Sequence, residues 1–180
     1  MNTDSHLIST AEHLFDQHGF TATGMDRVAQ AACMSSRTLY KYAGSKTALI
    51  AAVLSERDDR FMRLLNVPTV DALFESLEQW IQEEGARGCL FLRAQGESGG
   101  EVPEISKAMR KHKARLRKKI HRILCLERGE DDCLELAEQL LILIEGATAA
   151  AVYRGPQAVK TARGMAALLL IQHSDRSRKT

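Results

Sequence analysis

Apolar residues recur along this chain at three- and four-residue spacing from near its start, and alternation of period two is almost absent. Leu7, Ile8, Ala11, Leu14 and Phe15 form the first stripe, which predicts a helix from about Asp4 to His18 with Gly19 as its stop. Thr23-Gly-Met-Asp26 reads as a capping box, with Thr23 as cap and Asp26 at the third helical position, and opens a short helix through Ala32. Cys33-Met34-Ser35 is a tight turn, and Ser35 can cap a third helix to about Tyr42. Ala43-Gly44-Ser45 breaks the chain again. Gly44 or Ser45 then starts a fourth helix, striped by Leu49, Ile50, Val53, Leu54, Phe61 and Leu65 and ending before Pro68.

Beyond Pro68 the helices lengthen. Thr69 caps one that carries Val70, Leu73, Phe74, Leu77 and Ile81 as far as Gly85, and residues 89–97 make a short helix before a Gly-rich loop. Pro103 suits the first position of a long helix whose seam is Ile105, Met109, His112, Leu116, Ile120 and Ile123. Gly129 ends it, Asp131 or Asp132 caps the next, and Gly155-Pro156 separates the last two. The fold expected is all-α, with about nine helices, no internal repeat and no low-complexity tract.

Composition agrees with this pattern and narrows the function. In 180 residues, 44% are hydrophobic and 27% charged, with Ala, Leu, Glu, Arg and Lys dominant, which is a folded, helix-favouring mixture. A net charge of +2 is too small to identify a nucleic-acid partner by itself. No basic segment followed by an apolar stretch opens the chain, and Glu145-Gly146 interrupts the most apolar run, Leu140–Ile144. No signal peptide or membrane span is therefore expected, and the expected compartment is the cytoplasm. Cys33, Cys89, Cys125 and Cys133 are scattered, without a C-x-x-C pair or a His at zinc spacing, so no metal or cofactor is expected. Reduced thiols and a redox sensor are both open readings. A Gly-rich phosphate loop, a nucleophile elbow and a metal-spaced His–carboxylate cluster are all missing, which argues against an enzyme.

Two short helices joined by a three-residue turn, inside a three-helix unit, form a helix-turn-helix. Its second helix would read Ser36-Arg-Thr-Leu-Tyr-Lys-Tyr42, with Leu39 pointing inward and Ser36, Arg37, Thr38, Tyr40, Lys41 and Tyr42 available to DNA. Arg can bind guanine bidentately, and Thr or Tyr can touch thymine methyls or phosphates. Helix starts at Thr23 and at Ser45-Lys46 suit phosphate, because free N–H groups and the helix dipole favour an anion there. The division expected is a DNA-binding domain at residues 1–46, a connecting helix at 47–66 and a helical domain at 67–180.

These same residues carry a resemblance. Ile8-Ser-Thr-Ala-Glu-His-Leu-Phe-Asp-Gln-His-Gly-Phe20, Thr23-Gly-Met-Asp-Arg-Val-Ala-Gln-Ala-Ala32, Thr38-Leu-Tyr-Lys-Tyr42 and Ser45-Lys46 resemble, in order and spacing, the N-terminal domain of TetR-family regulators. Arg87-Gly-Cys-Leu90 and Leu140-Leu-Ile-Leu-Ile-Glu-Gly-Ala147 look like segments common in one branch of them. Two positions depart: Cys33 stands where the family usually has Gly, and Ala43 where a Phe usually anchors the reading helix. The resemblance implies a repressor bound to a palindromic double-stranded operator. It also implies a homodimer paired through its last two helices, and an unidentified small-molecule effector that releases DNA from a pocket behind the reading domain.

The dimer also has support from the residues alone. The stretch 134–153 is apolar on nearly every side, so it must be buried all round, and a second subunit is the natural cover. Val159, Ala162, Ala166, Leu169 and Leu170 give the last helix a similar seam, and Ala150 is a candidate interface position. Candidates to line the effector pocket are Phe74, Trp80, Phe91, Met109, His112, Leu116, Leu141 and Glu145. His112 has a second reading as a hydrogen-bonded core histidine, Phe74 and Trp80 as plain core, and Glu145 as a surface or interface residue. Nine Lys or Arg residues between Lys107 and Arg122 read either as a solvated helix face or as an anion site.

Overall fold

Side-chain caps set three of the helix starts. Ser35 Oγ accepts from the Thr38 N–H at 3.1 Å, Ser45 Oγ from Ala48 at 3.1 Å, and Thr69 Oγ1 from Ala72 at 3.2 Å. Each satisfies an amide that the first turn of a helix leaves without a backbone partner. The computed structural model describes residues 3–129 and 133–177. Among these it holds nine α-helices and no strand: α1 (Thr3–His18), α2 (Met25–Ala31), α3 (Ser36–Ala43), α4 (Lys46–Leu64), α5 (Val70–Glu84), α6 (Leu90–Glu97), α7 (Pro103–Arg128), α8 (Leu134–Arg154) and α9 (Gln157–Ser177).

Where the capping box was expected, the structure differs. Gly24, not Thr23, is the N-cap of α2, and no side chain caps it. Thr23 is wholly buried, and its hydroxyl donates to the Gly19 carbonyl at 2.7 Å, closing the loop between α1 and α2. At α8 the N-cap is Cys133, without a side-chain cap bond; Asp131 and Asp132 lie outside the described residues.

The turn between α2 and α3 explains itself physically. The Cys33 N–H donates to Gln30 O at 3.1 Å and the Met34 N–H to Ala29 O at 2.9 Å, the paired bonds of a Schellman helix end. Such an end needs a left-handed residue after the cap, and Cys33 supplies it at φ 54°. That conformation costs a side-chain-bearing residue roughly 1–2 kcal/mol, which is why Gly is usual there.

Packing groups the chain into two compact units, residues 1–60 with 90–112 and residues 61–89 with 113–180, so α4 and α7 each contribute to both. In the first unit Leu7, Ala11, Phe15, Phe20, Val28 and Leu39 are buried, with the Phe15 and Phe20 rings stacked 5.0 Å apart. Buried Glu12 on α1 receives Arg57 at 2.8 Å and both terminal nitrogens of Arg60 at 2.8 and 2.9 Å, tying α1 to α4. The short α6 is fastened to the same helix: Arg93 donates to the Asp16 carboxylate at 2.9 Å and to its carbonyl at 3.0 Å. The Thr21 N–H donates to Glu97 Oε2 at 2.8 Å, fixing the other end of α6 to the turn after α1.

The second unit is built on α5, α8 and α9 around a core that includes Leu73, Phe74, Leu77, Leu116, Ile120 and Leu140. Arg163 of α9 bridges to Asp71 and Glu75 of α5, and the Val70 N–H donates to Glu127 at 2.8 Å. Glu145 and Gly146 do not interrupt α8, which runs unbroken for 21 residues and is long and apolar enough to cross a membrane by length and composition alone. One face of it, Leu136, Leu140, Ile144, Ala147 and Ala151, is buried in this unit's own core, as for a core helix.

Candidate nucleic-acid interface

α3 follows α2 across the Cys33 turn and buries a single side chain. Leu39 is fully buried and anchors it, while Ser36, Arg37, Tyr40, Lys41 and Tyr42 are exposed and Thr38 is half-buried. Tyr40 and Tyr42 are each about half exposed, at 49% and 47%, so both rings are open to a partner. The N-terminal turn of α3 is fixed twice over. Ser35 holds both the amide and the hydroxyl of Thr38, the latter at 2.8 Å, and Ser36 Oγ donates to Asp26 of α2 at 3.1 Å. Rigid support of this kind is what a helix needs to present Arg37 at one place in a groove.

The eight residues expected to touch DNA separate by role. Arg37, Tyr40, Lys41 and Tyr42 form an exposed array on α3, whereas Ser36 and Thr38 spend their hydroxyls on bracing it. Lys46 opens α4, where Ser45 caps the helix; its ammonium donates to the Thr21 carbonyl at 3.3 Å, so it stands beside the loop between α1 and α2. Thr23 differs from the rest: its side chain is buried and turned to the loop, so only the backbone N–H groups of this helix start are left for a phosphate. Its sequence pattern matched a cap, but a hydroxyl can also satisfy the carbonyl of a loop behind it, and here it does.

The candidate pocket residues fall in different units. Phe91, Met109 and His112 belong to the first, and the Phe91 and His112 rings stack face to face at 3.9 Å. His112 is buried and its Nδ1 lies 2.8 Å from Asp58 Oδ1, the hydrogen-bonded core histidine of the second reading. Phe74 and Leu116 are core of the second unit, with Leu141 and Trp80 packed against it and Trp80 set edge-on to Phe61 at 5.1 Å. Glu145 is neither isolated nor surface-free: Lys113 clamps its carboxylate at 2.6 and 2.7 Å, and the same ammonium lies 3.4 Å from Cys89 Sγ.

The basic run of α7 is likewise divided. Lys113 pairs with Glu145, Arg117 with Glu138, and Lys119 reaches Asn66. Partial burial holds Lys119 below the usual lysine range, helped by the charges of Arg122 and Arg115. Lys107 and Lys111 are exposed and in no ion pair among the described residues.

Two family profiles match the chain: the bacterial regulatory proteins of the tetR family over residues 7–53, and the tetracyclin repressor-like C-terminal domain over residues 67–166. The HTH-type transcriptional regulator UidR of Escherichia coli is 27% identical over 116 residues, 62% of this chain and 58% of UidR, so the match spans little more than half of that relative. Among solved structures, the TetR-family transcriptional regulator SCO4454 of Streptomyces coelicolor is similar with a TM-score of 0.84 at 25% identity, covering 94% of this chain and 95% of that one. The reduced form of E. coli NemR is similar in fold, with a TM-score of 0.76 at 23% identity, over 92% and 95% of the two chains.

Proposed function

The chain belongs to the TetR family of bacterial regulatory proteins, and from that premise we propose that it is a dimeric transcriptional repressor, acting in the cytoplasm, that binds a palindromic operator and leaves it when a small molecule binds. The observation that carries this reading is α3 itself: a capped, braced helix with one buried anchor and an exposed array of Arg37, Tyr40, Lys41 and Tyr42. Its N-terminal half would enter the major groove, with Arg37 reading a base and Lys46 holding a phosphate.

Self-association is supported by what α8 and α9 leave outside. Ile142, Val152 and Tyr153 on α8 and Met165, Leu168 and Ile171 on α9 are between 49% and 79% exposed, opposite the faces these two helices bury in the core. Large apolar side chains exposed together on one helix pair are unfavourable in water and fit an interaction surface. A second copy across a two-fold axis covers both faces at once. The interface then lies on these outward residues. Val159, Ala162 and Ala166 are buried in the chain's own core and are not available to a partner, while the partly buried Ala150, Leu169 and Leu170 lie at the edge of that core.

A two-fold dimer presents two copies of α3, so half-sites should be inverted and spaced by whole helical turns. Ligand release follows if the effector binds better to an arrangement in which the two reading helices no longer match successive grooves. Linkage then requires DNA to weaken effector binding by the factor by which effector weakens DNA binding, typically 5- to 150-fold. Fluorescence anisotropy of full-length protein on DNA from upstream of its own gene, with and without cell metabolite fractions, tests this. Salt-dependent specific binding reversed by a fraction supports the reading, and binding that no fraction reverses removes the effector from it.

A further inference from the structure

Within the first unit, α4, the start of α6 and the first turns of α7 leave a groove of about 260 Å³. It arises because α4 presents two small residues to it one turn apart, Ala51 and Ser55, and α7 presents Ala108. Leu54 and Phe91 form its apolar walls. Its volume is at the small end of ligand sites, which are mostly apolar with a few polar groups that fix orientation.

Its charged lining residues are Lys107 and Lys111 with Asp58 and Glu104. Lys107 and Lys111 border the groove at i and i+4, a like-charge pair that repels itself until an anion lies between them. Asp58, at the wall, is buried and holds His112 Nδ1 at 2.8 Å through one carboxylate oxygen, which commits that oxygen to the imidazole and not to the exposed lysines. Glu104 stands a turn earlier on α7 and disfavours an anion at that end, which directs an anionic head toward Lys111.

We propose that this groove is a ligand site for a small organic anion, an apolar body carrying one carboxylate or sulfonate. The apolar body lies on Phe91 and Leu54, and the anionic group sits between Lys107 and Lys111. As the seat of the effector, it rests on the ligand-release reading above. The groove also has a physical route to the reading helices, because Phe91 is on α6 and α6 is bonded to α1 through Arg93 and Asp16 and to the following turn through Glu97 and Thr21.

The test uses full-length protein and the probe 8-anilinonaphthalene-1-sulfonate, with octanoate and octylamine as competitors. Only the octanoate-displaceable fluorescence is scored, since the outward faces of α8 and α9 can also bind the probe. Octanoate should displace it and octylamine should not. Ala108→Phe, which fills the groove, should abolish the displaceable signal. Replacing Lys107 and Lys111 together by Gln, a surface change that leaves the fold in place, should weaken octanoate about tenfold. Arg93→Met should keep the displaceable signal while lowering the ratio of DNA affinities measured with and without octanoate. Displacement that is equal for both competitors, or unchanged in the double Gln variant, overturns the proposal. Octanoate bound in the groove without any change in DNA affinity supports the site and defeats the release reading. A metabolite that releases DNA without displacing the probe supports release and overturns the groove as the effector's seat.

Discussion

Replacing Glu12 by Gln should be the most damaging single-charge change in the reading unit. Glu12 is 6% exposed and accepts from Arg57, itself 5% exposed, and from Arg60 through two nitrogens. Removing one partner of a buried ion pair costs about 3–5 kcal/mol, because the remaining charge keeps its desolvation penalty. Gln retains one acceptor oxygen and Arg60 is partly solvated, which places the loss near the lower end, about 3 kcal/mol. For a chain of this length that is a fall in Tm of roughly 6–12 °C, compared at equal protein concentration because a dimer's Tm depends on it. The pH dependence supplies a second check. Burial alone would raise the Glu12 carboxyl, but hydrogen bonds from Arg60 and Arg57, with their charges, hold it below its ordinary value of 4.5. A carboxyl lowered on folding contributes stability above its unfolded pKa and loses it as pH falls through the folded value. The gap between wild type and Glu12→Gln in thermal melts should therefore be constant near neutrality and close in acid below about pH 4.5. A gap under about 2 °C at pH 7, or one that persists unchanged in acid, would refute the view that this charge cluster holds α1 on α4.

Other expectations follow from single contacts. Cys33→Gly should raise Tm by about 1–4 °C, because relief of a left-handed Cys outweighs the added flexibility of the unfolded chain; a lower Tm would mean the side chain packs usefully. Lys46→Gln should weaken binding to all DNA sequences alike and lower the salt slope by about one per half-site, read from titrations at several salt concentrations. Ile142→Arg and Leu168→Arg should convert the dimer to monomer in sedimentation without a loss of helix by circular dichroism. Ala150→Arg should instead lower Tm, because Ala150 packs against its own subunit's core.

Much of this fold is legible because helices announce themselves locally. The caps at Ser35, Ser45 and Thr69, the stops at Gly19, Gly85, Gly129 and Gly155, and Pro103 at a helix start all depend on residues within a turn of one another. Thr23 shows the limit of local rules, since a hydroxyl before a helix can serve the cap or the loop, and only packing decides. The same limit applies to α8: apolar on nearly every side in sequence, it cannot reveal which stripe faces the chain's own core. On α3 the exposed face was legible, because a single buried Leu39 fixes which side chains point out. The groove was not, because it comes from small residues on α4 and α7 that meet across 57 positions of chain between Ala51 and Ala108. Ala, Ser and Lys at helical spacing read as an ordinary helix surface until the opposite wall is in view.

The central claim is that α3 reads DNA as a two-fold pair, with Arg37 in contact with a base. Selection of bound duplexes from a random library by full-length protein, followed by sequencing, tests it directly. Wild type should enrich an inverted repeat whose half-sites are spaced by whole helical turns. Arg37→Ala should keep the repeat but relax preference at one base pair in each half, at a cost of about 1–3 kcal/mol in affinity. An enriched sequence without two-fold symmetry, or one whose base preferences are unchanged by Arg37→Ala, would contradict the account.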